Sequence, residues 1–275
     1  MTMRFTVLAS GSTGNSLLVS TEQTKVLVDA GLSMKKIEQL MQERGVQGKE
    51  LDAILITHEH SDHIKGVGAL ARKYDLPVYA NEKTWQTLNR QLGELAEEKK
   101  VVFETGELLE FGEVDGEGFL QIESYNISHD AAEPVGYCFY DDDQKLGLAT
   151  DLGYVSSKVK EKLSDSNSLI LESNHDVEML RVGHYPWNIK RRIMGDTGHL
   201  SNDAAGSALC DMICERTESV YLAHLSRDHN MMDLAKLTVN NVLEDGGYPA
   251  KGRKVRLMDT YFDRATTWEK LNRES

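Results

Sequence analysis

The sequence contains few of the features that stabilise secreted proteins or anchor membrane proteins. Its 275 residues include only three cysteines, and no two of them form a C-x-x-C pair. No stretch approaches the roughly 18 consecutive apolar residues of a membrane-spanning helix. Because an odd number of cysteines cannot all pair, Cys138, Cys210 and Cys214 are predicted to be small core residues in a reducing compartment. We expect a cytoplasmic protein with neither a signal peptide nor a membrane span.

The sequence is also poor in positively charged residues. Lysine and arginine total 31 residues against 44 aspartates and glutamates, and the formal net charge is -13. This balance argues against a protein that coats nucleic acid through a broad basic surface. It still allows an enzyme that admits one end of a polyanion into a locally positive cleft, where bound metal ions would add positive charge.

The chain does have an ordinary globular composition, with 40% hydrophobic and 27% charged residues. Apolar and β-branched runs predict strands over 4–9, 16–20, 25–29, 53–57, 101–103, 119–126, 136–140, 146–150, 169–172 and 220–225. Helical spacing predicts helices over 33–44, 64–74, 85–96, 157–163, 202–216 and 232–243. No linker or repeat divides these elements. We predict one α/β domain over residues 1–275, with helices outside packed sheets.

The strongest chemical signal is the run His58-x-His60-x-Asp62-His63, which directly follows the apolar strand predicted over 53–57. Alternate residues of an extended segment point the same way, so His58 and His60 are placed to share one metal ion. The turn that follows would direct Asp62 and His63 toward a second ion. Imidazole and carboxylate ligands suit zinc, manganese or iron.

Further candidate ligands follow other predicted strands. His129, Asp151 and His224 each come after a short apolar or β-rich run, so all three are expected at one rim of the sheets. His229 is an alternative to His224, because both lie within residues 223–229. The position of His224 at the end of an apolar strand favours it as the ligand.

This order of ligands, H-x-H-x-D-H followed by His, Asp and His, resembles the metallo-β-lactamase superfamily over nearly the whole chain. The resemblance implies an αββα sandwich without an inserted second domain. It also implies two divalent metal ions, Mn²⁺ or Zn²⁺, with iron as a further option. The implied ligands are His58, His60 and His129 for the first ion, Asp62, His63 and His224 for the second, and Asp151 between the two.

Two metal ions so held would activate a water and clamp both oxygens of an in-line displacement, which suits hydrolysis of a phosphodiester. The candidate catalytic residues are Asp62, Asp151 and His199. An aspartate between the metals, where antibiotic-hydrolysing members have a cysteine, favours a phosphoesterase-type member.

Segments 8–16, 128–137, 171–176, 185–202 and 223–226 are further similar to one bacterial branch of the superfamily, the YycJ/WalJ proteins. That similarity implies 5′-to-3′ exonuclease action on double-stranded DNA, with duplex ends as the partner. RNA-processing relatives carry a bulky domain between the bridging aspartate and the late histidine. Here the interval from Asp151 to His224 is 224 minus 151, or 73 residues, which is too short for such a domain and disfavours RNA endonuclease action of that kind.

A basic and aromatic patch lies within residues 181–192. Its predicted role is to bind phosphates and stack a base, and the alternative is a solvated, charged helix end. The substrate-binding candidates in this patch are Arg181, Tyr185, Trp187, Lys190, Arg191 and Arg192.

Three polar residues outside the ligand set have two open interpretations each. His199 stands just before a helix that Ser201 or Asn202 would cap. There it either contacts the scissile phosphate or protonates the leaving oxygen, or it has a structural role. Asn15, on a glycine-rich turn, orients a ligand or water, or satisfies the turn backbone. His175 supports Asp151 or the metals, or is a buried, hydrogen-bonded histidine.

Other functions remain open for the same residues. A small-molecule phosphodiesterase, a thioester hydrolase or a lactone hydrolase would use the same metals. A metal-bound regulatory scaffold without turnover is the alternative outside the enzymes, and the intact ligand set argues against it. Nothing in the sequence indicates an oligomeric state.

Overall fold

Two sheets of mixed strand direction pack face to face in this computed structural model, which describes residues 3–113, 119–248 and 254–271. In the described residues the first sheet contains β1 (Arg4–Ala9), β2 (Ser16–Ser20), β3 (Lys25–Val28), β4 (Ala53–Leu55), β5 (Val78–Asn81), β6 (Lys100–Phe103) and β14 (Glu269–Lys270), in the order β14-β1-β2-β3-β4-β5-β6. The second contains β7 (Leu108–Phe111), β8 (Leu120–Asn126), β9 (Val135–Asp141), β10 (Gln144–Ala149), β11 (Ser168–Glu172), β12 (Ser219–Ala223) and β13 (Arg256–Met258), in the order β13-β12-β11-β10-β9-β8-β7.

The described residues form nine α-helices. They are α1 (Met34–Glu43), α2 (Ser61–Ile64), α3 (Val67–Tyr74), α4 (Glu82–Leu88), α5 (Ser157–Leu163), α6 (Val177–Val182), α7 (Trp187–Ile193), α8 (Asn202–Met212) and α9 (Met232–Asp245). One apolar layer lies between the sheets, a second joins the first sheet to α1, α3 and α4, and a third joins the second sheet to α5, α8 and α9. The predicted αββα sandwich is confirmed. None of the helices described is both long and apolar enough to cross a membrane.

Each sheet changes from antiparallel to parallel pairing part-way across. Strands β1 to β3 pair antiparallel and β3 to β6 pair parallel, while β7 to β10 pair antiparallel and β10 to β13 pair parallel. Parallel neighbours end at the same edge of a sheet, and such edges are where open α/β sheets bind ligands. The residues that follow β3, β4, β8, β10, β11 and β12 are therefore collected at one rim of the sandwich.

Several predicted boundaries differ from the structure. The predicted helix over 64–74 is divided into α2 and α3 at Gly66, whose amide donates to the Ala30 carbonyl at 2.7 Å. A Cβ at Gly66 would lie 2.5 Å from the Leu32 oxygen, so only glycine allows this approach. The predicted helix over 85–96 begins earlier, at the Asn81 cap, and ends at Leu88. The predicted helix over 202–216 ends at Met212.

The prediction for the cysteines is wrong in part. Cys138 is buried between strands, but Cys210 is exposed on α8 and Cys214 is partly exposed. The prediction of one domain over residues 1–275 stays a prediction, and its two ends, residues 1–2 and 272–275, lie outside the described residues.

A buried tyrosine ties the second sheet to the segment that leads into the histidine motif. The Tyr137 hydroxyl on β9 donates to the Ile56 carbonyl at 2.7 Å, and Tyr137 is fully buried. We predict that Tyr137→Phe lowers the free energy of unfolding by about 1 to 3 kcal/mol, because it leaves a buried carbonyl without this donor. Urea denaturation measures the change. Tyr140→Phe, a partly exposed position on the same strand, should cost clearly less, and an equal cost at both positions would contradict the prediction.

Candidate metal centre

The rim of the sandwich collects side chains from both sheets, and three of them sit on unusual backbone. Asp29 follows β3, Asp151 follows β10 and His224 follows β12, and these residues have φ angles of 56°, 59° and 55°. A non-glycine residue in this left-handed region costs on the order of 1–3 kcal/mol and persists only where its surroundings hold it. Such strain is typical of functional sites, and here it turns three side chains inward at the ends of their strands.

A first cluster contains three imidazoles, those of His58, His60 and His129, whose nitrogens all lie within 4.8 Å of one another. His129 Nε2 is 3.3 Å from His60 Nδ1, and His129 Nδ1 donates to the Gly198 carbonyl. Burial and the neighbouring His63 charge hold the pKa of His58 well below its usual range. A neutral imidazole is the form that binds a metal ion.

A second cluster contains Asp62, His63, Asp151 and His224, with ligand atoms within the same 4.8 Å limit. His63 Nε2 lies 3.1 Å from Asp151 Oδ2 and 3.6 Å from Asp62 Oδ2. His224 Nε2 is also 3.6 Å from Asp62 Oδ2. The other carboxylate oxygen of Asp151 lies 3.8 Å from His129 Nε2. Asp151 therefore stands between the two clusters, which is the position predicted for a bridging ligand.

The hydrogen bonding of these side chains fits divalent cations. His58 Nε2, Asp151 Oδ2 and His224 Nε2 are buried and have no hydrogen-bond partner. Buried polar atoms without partners are costly and uncommon in folded proteins. Nitrogen and carboxylate donors are also the ligands that zinc, manganese and iron accept. All seven predicted ligands are brought together, and the donor set suits the predicted pair of ions.

A carboxylate that the sequence analysis did not single out supports this centre. Glu172, the last residue of β11, is fully buried, and its Oε1 accepts from His224 Nδ1 at 2.7 Å and His199 Nδ1 at 2.9 Å. Its Oε2 accepts from the Leu152 and Leu200 amides at 2.8 and 3.1 Å. Burial alone would raise the pKa of Glu172, but the charges and hydrogen bonds of the two histidines outweigh it and lower that pKa to about 2.

Asp29 plays the corresponding part in the first sheet. Its Oδ2 accepts from His63 Nδ1 at 2.7 Å and from the Thr57 hydroxyl at 2.8 Å, and its Oδ1 accepts from the Thr57 amide. Such carboxylate partners fix the ring orientation and tautomer of a ligand histidine. One signal in the sequence marks both residues: an acidic side chain directly after an apolar run, as in Leu27-Val28-Asp29 and Ile170-Leu171-Glu172.

His199 and Asn15 both reach the clusters. The His199 ring lies 5.1 Å from the rings of His129 and His224, and the charge and hydrogen bond of Glu172 raise the pKa of His199 despite its burial. Asn15 Nδ2 lies 3.0 Å from His63 Nε2, while Asn15 Oδ1 accepts from the Gly11 amide at 2.9 Å. Asn15 thus supports the turn backbone and at the same time contacts a predicted metal ligand.

Two other candidate histidines, His175 and His229, lie outside the two ligand clusters. In the described part of the chain, neither His175 nor His229 belongs to a group of ligand atoms within 4.8 Å. His175 pairs in a short bridge with Ser201, and burial lowers its pKa to about 4. The His229 ring instead packs 4.4 Å from the Tyr185 ring. This placement favours His224 over His229, as predicted.

Three of the four charged residues of the predicted phosphate-binding patch have protein partners. Arg181 pairs with Glu178 at 2.8 Å, and Arg192 pairs with Asp130 at 2.6 Å. Lys190 is buried and donates to two backbone carbonyls, those of residues 181 and 183. This differs from the prediction, because a lysine whose ammonium group is satisfied by buried carbonyls is not available to a phosphate.

The other members of the patch are more accessible. Arg191 is exposed and the Trp187 side chain is 57% exposed, so both remain candidates for a substrate contact. The Tyr185 hydroxyl donates to Asp228 at 2.9 Å, so part of its hydrogen-bonding capacity is taken.

The position of Glu172 leads to a prediction about metal affinity. In Glu172→Gln, an NH2 group replaces one carboxylate oxygen. Because an NH2 group cannot accept a hydrogen bond from the histidines or the backbone amides, His224 loses its fixed orientation. We expect divalent-metal affinity to fall by about 10- to 100-fold, measured by calorimetric titration and elemental analysis. Glu178→Gln on the exposed face of α6 is the matched control and should bind metal as the wild type does. Equal affinity in all three proteins would contradict the role given to Glu172.

Gly31 provides a second test, because the backbone of the motif passes directly over it. A Cβ at Gly31 would overlap the Asp62 carbonyl and lie 2.6 Å from the Asn15 amide. We predict that Gly31→Ala displaces the turn that carries Asp62 and His63 and lowers metal content well below that of the wild type. Gly45→Ala is the control: its φ of 76° makes it strained by about 1–2 kcal/mol, but nothing lies within 4 Å of the added Cβ. Metal content that falls equally in both variants would contradict the prediction.

Comparison with known proteins agrees with this geometry. Residues 9–188 match the model of the metallo-beta-lactamase superfamily. Exodeoxyribonuclease YycJ of Bacillus anthracis is 50% identical over 260 residues, which cover 94% of this chain and 96% of that protein. Exodeoxyribonuclease WalJ of Streptococcus pneumoniae strain R6 is 45% identical over 265 residues, which cover 96% of each chain.

A solved structure shows the same fold. The metallo-beta-lactamase fold protein YhfI from Bacillus subtilis superposes with a TM-score of 0.71 at 17% identity, over 96% of this chain and 98% of that one. Together with the family match and the two long relatives, this likeness extends across both sheets. The chain therefore belongs to the metallo-β-lactamase superfamily of metal-dependent hydrolases and is a member of its YycJ/WalJ type.

Proposed function

We propose that the protein is a cytoplasmic exonuclease that degrades double-stranded DNA from its 5′ ends, with two divalent metal ions, Mn²⁺ or Zn²⁺, as cofactors. The observation that carries the proposal is the pair of ligand clusters with Asp151 between them. The two relatives named as exodeoxyribonucleases, which match almost from end to end, support the choice of DNA as substrate.

The chemistry divides between the ions and the protein. Two bound divalent ions supply an activated water and neutralise the charge of a phosphodiester. The protein fixes the imidazoles through Asp29 and Glu172 and excludes water around the buried ligands. His60 and Asp62 are the partly exposed members of the two clusters, and His199 beside them is also partly exposed, so the substrate approaches from their side.

His199 is the residue we assign to the leaving oxygen. Its Nδ1 donates to Glu172, which leaves Nε2 for the substrate. A histidine whose one nitrogen is held by a carboxylate is oriented to deliver a proton from the other. A phosphodiester needs such a proton, because its leaving alkoxide is a strong base.

A polarity-resolved nuclease assay tests the proposal. With Mn²⁺ bound, the protein should release the label from 5′-labelled duplexes early in the reaction. A label at the 3′ end should stay on a strand that shortens progressively. His60→Ala and Asp151→Ala should lower the rate by more than about a hundredfold, because each removes a ligand atom from a cluster. Lys158→Ala, an exposed position on α5, is the control and should degrade DNA at the wild-type rate.

Other outcomes would separate the alternatives. Metal-loaded protein that leaves every DNA end intact but cleaves a small phosphodiester, thioester or lactone would be a small-molecule hydrolase. Metal-loaded protein that turns over none of these substrates would be a scaffold. Either result would overturn the proposal.

A further inference from the structure

A pair of arginine–aromatic stacks lies beside the metal centre and was not indicated by the sequence. The Arg227 guanidinium carbon sits 4.2 Å from the centre of the Phe262 ring, and that of Arg264 sits 3.9 Å from the centre of the Tyr261 ring. Arg227, Phe262 and Arg264 are exposed, and Phe262 keeps 42% of its surface open to solvent. We call these four residues the arginine–aromatic rim.

Hydrogen bonds attach the rim to the ligand-bearing turns. The Ser10 amide donates to the Tyr261 carbonyl at 2.8 Å, and the Ser10 hydroxyl accepts from the His224 amide at 2.7 Å. Two hydrogen bonds thus join the backbone of Tyr261 to a predicted metal ligand. Arg227 lies three residues after that ligand, so the rim borders the second cluster.

The turn that carries Asn15 lies next to both the arginine–aromatic rim and the second ligand cluster. A Cβ placed on Gly11 would lie 3.7 Å from the Phe262 Cβ and 3.3 Å from the Leu225 carbonyl. Gly11 is the backbone partner of Asn15, whose amide is 3.0 Å from His63 Nε2. Phe262 therefore lies against the same turn whose Asn15 side chain contacts the second cluster.

The charge of the rim is available to a ligand. Among the described residues, no carboxylate lies within ion-pair distance of Arg227 or Arg264, in contrast to Arg181 and Arg192. A guanidinium placed over a ring still has N–H groups that can bind phosphate oxygens, and an exposed arginine–aromatic pair offers a surface on which a base can stack.

From these contacts we infer that the arginine–aromatic rim binds the DNA strand next to the scissile phosphodiester. Arg227 and Arg264 neutralise the flanking phosphates, and the Arg227–Phe262 stack supports the adjacent base. The inference rests on the proposed function and deepens it, because it names the surface that holds the strand in register with the metal centre. Base stacking on such platforms tolerates any sequence, which suits an enzyme that removes successive nucleotides.

Binding measurements on metal-loaded protein test the inference, with a fluorescently labelled duplex as the probe. Arg227→Ala and Phe262→Ala should each weaken duplex binding by about tenfold, the size of effect that loss of one stacking platform produces. The two variants should differ in salt dependence. Arg227→Ala should reduce the slope of log affinity against log salt by about 1, because one phosphate contact is lost, whereas Phe262→Ala should leave the slope unchanged.

Two controls make the result specific. Lys158→Ala removes the same charge from the exposed face of α5 and should bind the duplex with wild-type affinity and slope. Metal content, measured for every variant, should equal that of the wild type, which shows that the ligand-bearing turns are intact. Arg227→Lys should keep the salt slope but lose part of the affinity, because an ammonium group does not stack on the ring.

The outcomes separate the two ideas. In one outcome, the wild type degrades duplex DNA while Arg227→Ala and Phe262→Ala bind the duplex as tightly as the wild type does. That result would overturn the role given to the arginine–aromatic rim, and the proposed exonuclease activity would still hold. Wild-type protein that neither binds nor degrades duplex DNA would overturn both.

Discussion

The buried carboxylate of Asp151 is the group on which the rest of the metal centre depends. It lies at the end of β10 with a left-handed backbone and contacts imidazoles of both clusters. A buried carboxylate without cations nearby would be costly, and the charges of His224 and His63 offset that cost at Asp151. Because these histidines come from different sheets, the two sheets must meet at this edge of the sandwich for the centre to form.

Each sheet contributes one supporting carboxylate to the second cluster. Asp29 holds His63 from the first sheet, and Glu172 holds His224 from the second. Both carboxylates also accept backbone amides or hydroxyls, so their positions are fixed by the strands themselves. The orientation of His63 and His224 thus follows from residues at the strand ends, which suits a site that must stay within a few tenths of an ångström of its working geometry.

The sequence predicted the parts of this centre that follow from local pattern. A continuous apolar run followed by His58 and His60 signals a buried strand with ligands at its end, and the same logic located His129, Asp151 and His224. Residues whose roles depend on contacts across the fold were missed. Glu172 meets His224, which is 52 residues away, and no local pattern distinguishes it from any other acidic residue after a strand. Likewise, Lys190 has the charge of a phosphate ligand, but its ammonium group is held by carbonyls at the C-terminal end of α6, a contact that the sequence does not reveal.

The pairing of β14 with β1, Lys270 with Arg4, has a consequence for synthesis of the protein. An emerging chain presents the edge of β1 on the ribosome long before its partner strand exists, and unpaired edges invite association with other chains. The Tyr261 carbonyl that anchors Ser10 is made equally late. The contacts of residues 261–270 with β1 and Ser10 therefore form only after those residues have left the ribosome, and a chain cut before residue 261 would lack the carbonyl that holds the Ser10 amide next to His224.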